Sequence, residues 1–240
     1  MPLESFNGTT FVAFTDISGF KDMMEDERRA IRALDRFYQA GYDALRQKNY
    51  VPRVDGLFVS DCGILFVREA DPHPAASLRA LLKVIEAINR DVLRADVMLT
   101  TSIAYGPFSY HERIEFPGIQ KSLTYGDAYL TAYLDNERGK PRMQPGQCRI
   151  VLRQTGQVED ALRDFNCPRV RRATGVRADG GGRGRMKDAK HAYFFWMVSQ
   201  ENQIVGFERR YRDAYSLKYK GMLDALRSAA NLSGPRSEEE

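Results

Sequence analysis

The stretch FVAFTDISGF, residues 11–20, constrains the fold more than any other part of the sequence. An apolar run ends in Asp16, and a Ser-Gly turn and an aromatic residue follow directly. Burying an ionised carboxylate at the end of a core strand is costly unless a cation or a hydrogen-bond donor compensates for it. Asp16 therefore either caps the helix that follows or holds a metal ion.

Hydrophobic periodicity predicts alternating strands and helices along the chain. The predicted strands are 10–16, 50–59, 62–68, 97–108 with an interruption at Gly106-Pro107, and shorter ones near 148–152, 168–174 and 191–198. The predicted helices are 25–48, 74–94, 126–137 and 207–228. The first half of this order, β-α-β-β-α-β, indicates an α+β, ferredoxin-like fold: an antiparallel-rich central sheet with flanking helices.

Two predicted helices have an apolar stripe on one face. In the helix over 25–48 the stripe consists of Ile31, Leu34, Tyr38, Tyr42 and Leu45. In the helix over 74–94, which Pro74 opens, it consists of Leu78, Leu81, Leu82, Ile85, Ile88 and Val92. We expect both stripes to face the core of the domain.

Composition and charge exclude several classes of protein. The 240 residues, 43% hydrophobic and 28% charged, suit a globular domain with a full core. A net charge of +4 suits an anionic small ligand but is too weak to indicate a stable nucleic-acid partner. No run approaches the roughly 18 apolar residues of a membrane span, and the N-terminus has no export signal. Three widely spaced cysteines indicate a reducing compartment, so we expect a cytoplasmic protein without a membrane partner.

The sequence predicts one domain over 1–228, a Gly- and Arg-rich loop over 177–187, and a flexible acidic tail over 229–240. In the ferredoxin-like plan the first and third strands are neighbours. Asp16 ends the first strand, and Asp61 lies in the hairpin turn before the third, so the two carboxylates are expected side by side. With a backbone carbonyl between them they would form a hard-oxygen site for Mg²⁺ or Mn²⁺.

The turn Ser18-Gly19-Phe20 follows Asp16 and is predicted to open a short helix whose free N–H groups hold phosphate oxygens. A metal site beside a phosphate site indicates a nucleoside triphosphate. Two simpler interpretations stay open at this point: Asp16 as a helix N-cap and Asp61 as an ordinary turn residue.

Four segments resemble the signatures of class III nucleotidyl cyclases, in the family's order and over about residues 10–138. These segments are FTDISGF, LFVSDCGILF, TTSIAYGPF and TYGDAYLTAYLDNE. In the second segment Ser60 stands where the family has glycine. The resemblance implies a homodimer with active sites at the interface and two Mn²⁺ or Mg²⁺ ions per site, bound by the Asp16 and Asp61 side chains and the Ile17 carbonyl.

The sequence departs from the family pattern at the residues that recognise the base and at those that stabilise the transition state. The two positions that read a purine are Leu57 and Leu123, and the transition-state Asn and Arg positions are Leu130 and Leu134. An arginine expected on the fourth strand falls on Thr100. A shift of one or two residues in the helix would bring in Thr131, Tyr133 or Asn136 instead.

A pyrimidine base would explain these departures, because it is smaller and can stack on an aromatic residue. Tyr50, at the start of the second strand, is the predicted stacking residue; a partly buried strand tyrosine is the alternative. The whole pattern resembles the bacterial pyrimidine cyclases of Pycsar antiphage defence. That resemblance implies a uridylate cyclase that makes cUMP from UTP for a separate effector. The alternatives are a cytidylate cyclase, a purine cyclase with unusual base readers, and an inactive nucleotide-binding or dimerisation module.

Overall fold

A computed structural model of the chain describes residues 4–47, 51–68, 74–116, 119–152, 156–174 and 187–232. The strands are β1 (Phe6–Ile17), β2 (Val54–Val59), β3 (Cys62–Val67), β4 (Leu99–Phe116), β5 (Ile119–Tyr125), β6 (Cys148–Val151), β7 (Val170–Thr174) and β8 (Lys187–Phe194). The helices are α1 (Phe20–Met23), α2 (Glu27–Arg46), α3 (Pro74–Arg94), α4 (Asp127–Arg138), α5 (Gly156–Phe165), α6 (Gln203–Ala214) and α7 (Lys218–Ala230), with a 3₁₀ turn over Tyr215–Leu217. Of the tail predicted over 229–240, residues 233–240 lie outside the described residues, whereas 229–230 belong to α7. Most of the loop predicted over 177–187 also lies outside the described residues.

One eight-stranded sheet organises the fold. Its order is β2-β3-β1-β4-β6-β8-β7, and β5 pairs with β4. All strand pairs are antiparallel except β4 with β6. The part β2-β3-β1-β4, with α2 and α3 as its connections, is the ferredoxin-like unit, so the predicted fold class is confirmed.

The two faces of the sheet are covered unequally. Phe11, Ala13 and Ile17 of β1 lie in the large core beneath α2 and α3. Val12 and Phe14 lie in a smaller core on the opposite face, together with residues of α4. Because side chains alternate along a strand, Asp16 belongs to the α4 face.

Three predicted helices are confirmed with nearly the expected bounds: α2, α3 and α4. All six apolar residues predicted for the buried face of α3 are buried. Among the described residues, no helix is both long and apolar enough to span a membrane.

The predicted apolar stripe of α2 is only partly right, because Leu34, Tyr38 and Leu45 pack partly buried against the core while the other two members do not. Its buried face consists of Ala30, Ala33, Phe37, Ala40, Gly41 and Ala44. Ile31 and Tyr42 of the predicted stripe are about half exposed. The physical reason is close approach: a Cβ on Gly41 would lie 2.1 Å from the ring of Phe58, so small residues let the helix lie directly on the sheet.

The predicted interruption of the fourth strand at Gly106-Pro107 is wrong, because β4 continues through it to Phe116. Pro107 pairs with Thr9 of β1, and β6 pairs only with residues 101–103 of β4. Beside Pro107, therefore, β4 is not paired with β6 on the edge that faces away from β1. On such an edge the missing N–H of proline is tolerated.

The C-terminal prediction of one helix over 207–228 is replaced by two helices. The chain turns at Lys218, where φ is 56°, and α7 then packs back against α6. Close packing explains the arrangement, since a Cβ on Gly221 would lie 2.5 Å from the Ala214 carbonyl oxygen. Two elements have no counterpart among the predicted ones, α5 and β5. The strand predicted near 191–198 lies at Lys187–Phe194.

Candidate active site

Asp16 and Asp61 lie together at one end of the central strands. Asp16 of β1 stands opposite Cys62 of β3, and Asp61 precedes Cys62 in the β2–β3 turn. The Ile17 N–H donates a hydrogen bond of 2.9 Å to the Asp61 carbonyl, which joins the two segments directly. The side-by-side position expected of these two residues is therefore present.

The structure answers whether Asp16 is a helix cap. The N-cap of α1 is Gly19, without a side-chain cap, and α2 is capped by Asp26, whose Oδ1 accepts a hydrogen bond of 3.2 Å from the Arg29 N–H. Asp16 instead stands inside β1 and caps neither helix. The capping interpretation is thus wrong, and the carboxylate needs another explanation.

The electrostatics of this site disfavour the ionised form of Asp16. Burial, then Asp61, then Glu137 raise the pKa of Asp16 from 3.8 to about 7. The pKa of the Cys62 thiol is raised to about 11 by burial and by nearby acidic residues, of which Asp61 has the largest effect. A divalent cation would relieve this excess of negative charge.

The donor set suits a hard ion. Two carboxylates and a backbone carbonyl are oxygen ligands of the kind that Mg²⁺ and Mn²⁺ take. In the described part of the chain, no group of three or more His, Cys, Asp or Glu residues is arranged to hold a metal. Water and substrate phosphates would complete the coordination, as is usual for Mg²⁺.

The turn Ser18-Gly19-Phe20 leads into the short helix α1 as expected, but the group that Ser18 can offer to a phosphate differs from the prediction. Gly19 has φ of 75°, a conformation that favours glycine. The Ser18 N–H donates to the Met98 carbonyl at 2.8 Å, so it is not free for a phosphate. The Ser18 hydroxyl is buried and has no hydrogen-bond partner among the described residues, so the hydroxyl is the group that Ser18 can offer.

The predicted base-pocket residues do not come together within one chain. Tyr50 lies outside the described residues. Leu57 is on β2, partly buried, and Leu123 is on β5 with 37% of its surface exposed. In the sheet, β2 and β5 are four strand spacings apart, about 19 Å. Leu57 and Leu123 can share one base only if they come from different chains.

The outer face of α4 carries the residues expected at the transition-state positions. Leu130 is 52% exposed and Leu134 is 40% exposed. Asn136, one of the alternative positions, is used within the chain. Its amide oxygen accepts a hydrogen bond of 3.1 Å from Thr100, and its amide nitrogen donates at 3.5 Å to the Phe14 carbonyl. Asn136 thus attaches α4 to β1 beside Asp16.

Two features at this end of α4 were missed by sequence reasoning. Glu137 contributes to the negative field at Asp16. Asp135 accepts hydrogen bonds from Ser102 at 2.6 Å and from the fully buried Arg149 at 2.7 Å, and it lies 2.8 Å from His191. These interactions lower the pKa of Asp135 although burial alone would raise it. The partners are far apart in the sequence and form no local pattern that could reveal them.

Solved structures with a similar fold are nucleotide cyclases. The adenylyl cyclase CyaB from P. aeruginosa is 15% identical with a TM-score of 0.54, and the match covers 80% of this chain and 96% of that one. The guanylate cyclase domain of RhGC from Catenaria anguillulae, solved in complex with GTP, is 12% identical with a TM-score of 0.52 and coverages of 80% and 97%. A bacterial light-regulated adenylyl cyclase is 11% identical with a TM-score of 0.51 and coverages of 95% and 100%.

Sequence comparison adds nothing to this result. No model of a known protein family matches the chain, and no curated protein sequence matches it significantly. The likeness lies in the three-dimensional structure, over nearly the full length of each solved domain. The chain has the fold of the class III nucleotidyl cyclase domains.

Proposed function

We propose that the chain is a metal-dependent nucleotide cyclase. It converts a pyrimidine nucleoside triphosphate, with UTP preferred, into the 3′,5′-cyclic monophosphate and pyrophosphate. The fold shared with adenylyl and guanylyl cyclases supports the reaction class. The single observation that carries the proposal is the Asp16–Asp61 pair: Asp16 caps neither α1 nor α2, and burial together with Asp61 and Glu137 raises its pKa to about 7.

Asp16, Asp61 and the Ile17 carbonyl would hold two Mn²⁺ or Mg²⁺ ions. When bound, such ions lower the pKa of the ribose 3′-hydroxyl and neutralise the leaving pyrophosphate. The ribose 3′-hydroxyl releases its proton to water, its oxygen attacks the α-phosphorus, and the bond from that phosphorus to the bridging oxygen of the leaving pyrophosphate breaks. The chain itself orients the triphosphate through the turn Ser18-Gly19-Phe20, so catalysis rests on positioning and charge neutralisation.

The side chains at the base-reading positions favour a pyrimidine. Leu57 and Leu123 cannot form hydrogen bonds, and a purine edge left unpaired against them would cost about 1–3 kcal/mol per polar group. A pyrimidine is shorter and need not reach them. Backbone N–H groups suit the two carbonyls of uracil, whereas the amino group of cytosine needs an acceptor; this favours UTP over CTP.

The active unit in this proposal is a homodimer. The separation of β2 and β5 requires two chains to bring Leu57 and Leu123 to one base. The half-exposed leucines of α4 offer an apolar surface for the second copy. Asp16 and Asp61 would come from one chain, and Leu123 with the outer face of α4 from its partner.

Competition among the four labelled nucleoside triphosphates at equal concentration, with Mn²⁺ present, tests the proposal. We expect the cyclic product of UTP to dominate and pyrophosphate to form in equal amount. Dominant cCMP would change only the choice between the two pyrimidines. Dominant cAMP or cGMP would contradict the argument from Leu57 and Leu123.

A second candidate is a nucleotide-binding or dimerisation module without turnover. The observation that favours it is the pair Leu130 and Leu134, which stands where the family resemblance places the transition-state Asn and Arg. Nucleotide binding without any cyclic product from the four triphosphates would support this candidate.

The resemblance to the Pycsar cyclases supports a role in antiphage defence. The cyclic nucleotide would act as a second messenger for a separately encoded effector. Phage plaquing on cells that carry the chain with its neighbouring genes tests this role, because the Asp16→Ala variant should lose all protection if the messenger is responsible.

A further inference from the structure

The C-terminal helix α7 reaches the turn that follows Asp16. A Cβ on Gly19 would lie 3.7 Å from the ring of Tyr219, in the first turn of α7. Burial raises the pKa of Tyr219 to about 12, so the phenol keeps its proton and donates a hydrogen bond of 2.9 Å to the Asp96 carbonyl. Two residues further on, the Met98 carbonyl accepts the Ser18 N–H. The segment 96–98 therefore connects Tyr219 with the turn.

Tyr219 also holds a cation beside this turn. The guanidinium carbon of Arg29, in the first turn of α2, lies 5.7 Å from the centre of the Tyr219 ring. In the described part of the chain, the Arg29 guanidinium forms no ion pair with a carboxylate. It is exposed, and the face of an aromatic ring restricts where it can lie.

Two further observations at this place indicate an anionic ligand. Ser18 is 93% buried, and its hydroxyl has no hydrogen-bond partner within the part of the chain that the structure describes. A phosphate oxygen would relieve this costly state. Thr100, opposite Asp16 on β4, offers no positive charge. Positive charge for a triphosphate would come from another element as well as from metal ions, and Arg29 lies against the Tyr219 ring that approaches Gly19.

We infer that Arg29, positioned by Tyr219 of α7, binds the terminal phosphates of the substrate and the pyrophosphate product. The inference rests on the proposed function for the identity of the substrate, but it concerns the polyphosphate part alone. Arg29 acts on the phosphates directly, and Tyr219 is a positioning residue. The C-terminal helix thereby forms part of the binding site.

Calorimetric titration of the full chain with inorganic tripolyphosphate, in the presence of Mn²⁺, tests the inference without a nucleotide. Wild type should bind, and Arg29→Ala should bind about tenfold more weakly through loss of a charge-assisted hydrogen bond. Arg32→Ala is the matched control, because it removes the same charge from an exposed position of the same helix. Its affinity should stay within about twofold of wild type.

Tyr219→Leu tests the positioning role. It should weaken tripolyphosphate binding to an intermediate degree, whereas Tyr219→Phe, which keeps the aromatic face, should bind more tightly than Tyr219→Leu. Thermal melting shows whether each variant is folded. If Tyr219→Leu fails to fold, the comparison of Arg29→Ala with Arg32→Ala decides whether Arg29 binds the phosphates.

Two outcomes would overturn the inference: equal losses in Arg29→Ala and Arg32→Ala, or no binding of tripolyphosphate by wild type. The proposed function fails separately. If no nucleotide is cyclised while Arg29→Ala alone weakens tripolyphosphate binding, the polyphosphate site stands and the cyclase activity does not.

Discussion

The two faces of the sheet differ in how completely the chain covers them. On one face α3 alone buries eleven residues, including Leu81 and Ile85, and the core continues under α2 and α7. On the other face α4 buries only Ala128 and Ala132 and leaves Leu130, Leu134 and Tyr133 partly exposed. Asp16 belongs to this second face. The described residues thus cover the first face, the completed face, more fully than the second, the open face, which carries the candidate site.

The largest expected effect is a difference in the free energy of unfolding between matched leucine variants on the two faces. Leu81→Ala, on the completed face, should lower the free energy of unfolding by about 3 kcal/mol, because it leaves a cavity in a packed core. Leu134→Ala, on the open face, should cost less than about 1 kcal/mol in the monomer. Chemical denaturation at low protein concentration measures both. Equal losses would contradict the difference between the faces.

Sequence reasoning predicted the completed face well, and the reason is local. Six leucine, isoleucine and valine residues of α3 repeat with a helical period, and burial on one face is what such a repeat encodes. For α2 the same reasoning was only partly right, because this helix approaches the sheet through alanines and Gly41, and small residues carry almost no hydrophobic signal. The division between α6 and α7 likewise depends on tertiary packing at Gly221.

The second prediction concerns what covers the open face. Leu134→Glu should weaken self-association at least about 100-fold, because it places a charge in an apolar interface, and cyclase activity should fall with it. Leu217→Glu is the control, since it makes the same change at an exposed leucine, 68% accessible, at the C-terminal end of the fold. Sedimentation of both variants measures the dimer. If the two associate equally well, α4 does not form the interface.

A third, smaller effect is the pH dependence of stability that Asp16, on the open face, should cause. The folded-state pKa of Asp16 is raised from 3.8 to about 7, so the folded state favours the protonated form. Its stabilising contribution is complete below about pH 4 and is lost as the pH rises through about 7. Between these values the metal-free wild type should lose on the order of 2 kcal/mol relative to Asp16→Asn, with allowance for solvent screening.

Unfolding of wild type and Asp16→Asn at pH 4 and pH 8, with and without Mn²⁺, measures this dependence. Mn²⁺ at pH 8 should restore the stability of wild type and leave the variant unchanged. A constant difference between the two proteins across this range would show that Asp16 is not in an uncompensated negative field.

The candidate site was predictable only in part. Asp16 and Asp61 could be paired from the sequence because the ferredoxin-like order makes the first and third strands neighbours. The roles of Glu137, Asn136 and Asp135 could not, because each depends on where α4 lies on the sheet. Tyr219 lies about 200 residues from the turn that it contacts, and no periodic pattern connects positions so far apart.

The smallest expected effect concerns the hairpin that carries Asp61. Ser60 has φ of 53°, a left-handed conformation that costs most residues about 1–2 kcal/mol. Ser60→Gly should remove that cost. The higher conformational entropy of glycine in the unfolded chain offsets part of the gain, so the net stabilisation should be about 0.5 kcal/mol. Denaturation measures the gain, and activity should be unchanged. A destabilised variant would mean that the Ser60 side chain supports the turn.

The most direct test of the central claim is cyclic product formation by wild type, Asp16→Asn and Asp61→Asn with UTP and Mn²⁺, beside thermal melting of each protein. The account predicts a cyclic product and pyrophosphate from wild type. It predicts a loss of at least about 10³-fold in each variant, because each would remove a ligand of the ions that stabilise the transition state. In metal-free buffer at pH 8, both variants should melt at or above the temperature of wild type. Near wild-type turnover in either folded variant would contradict the account.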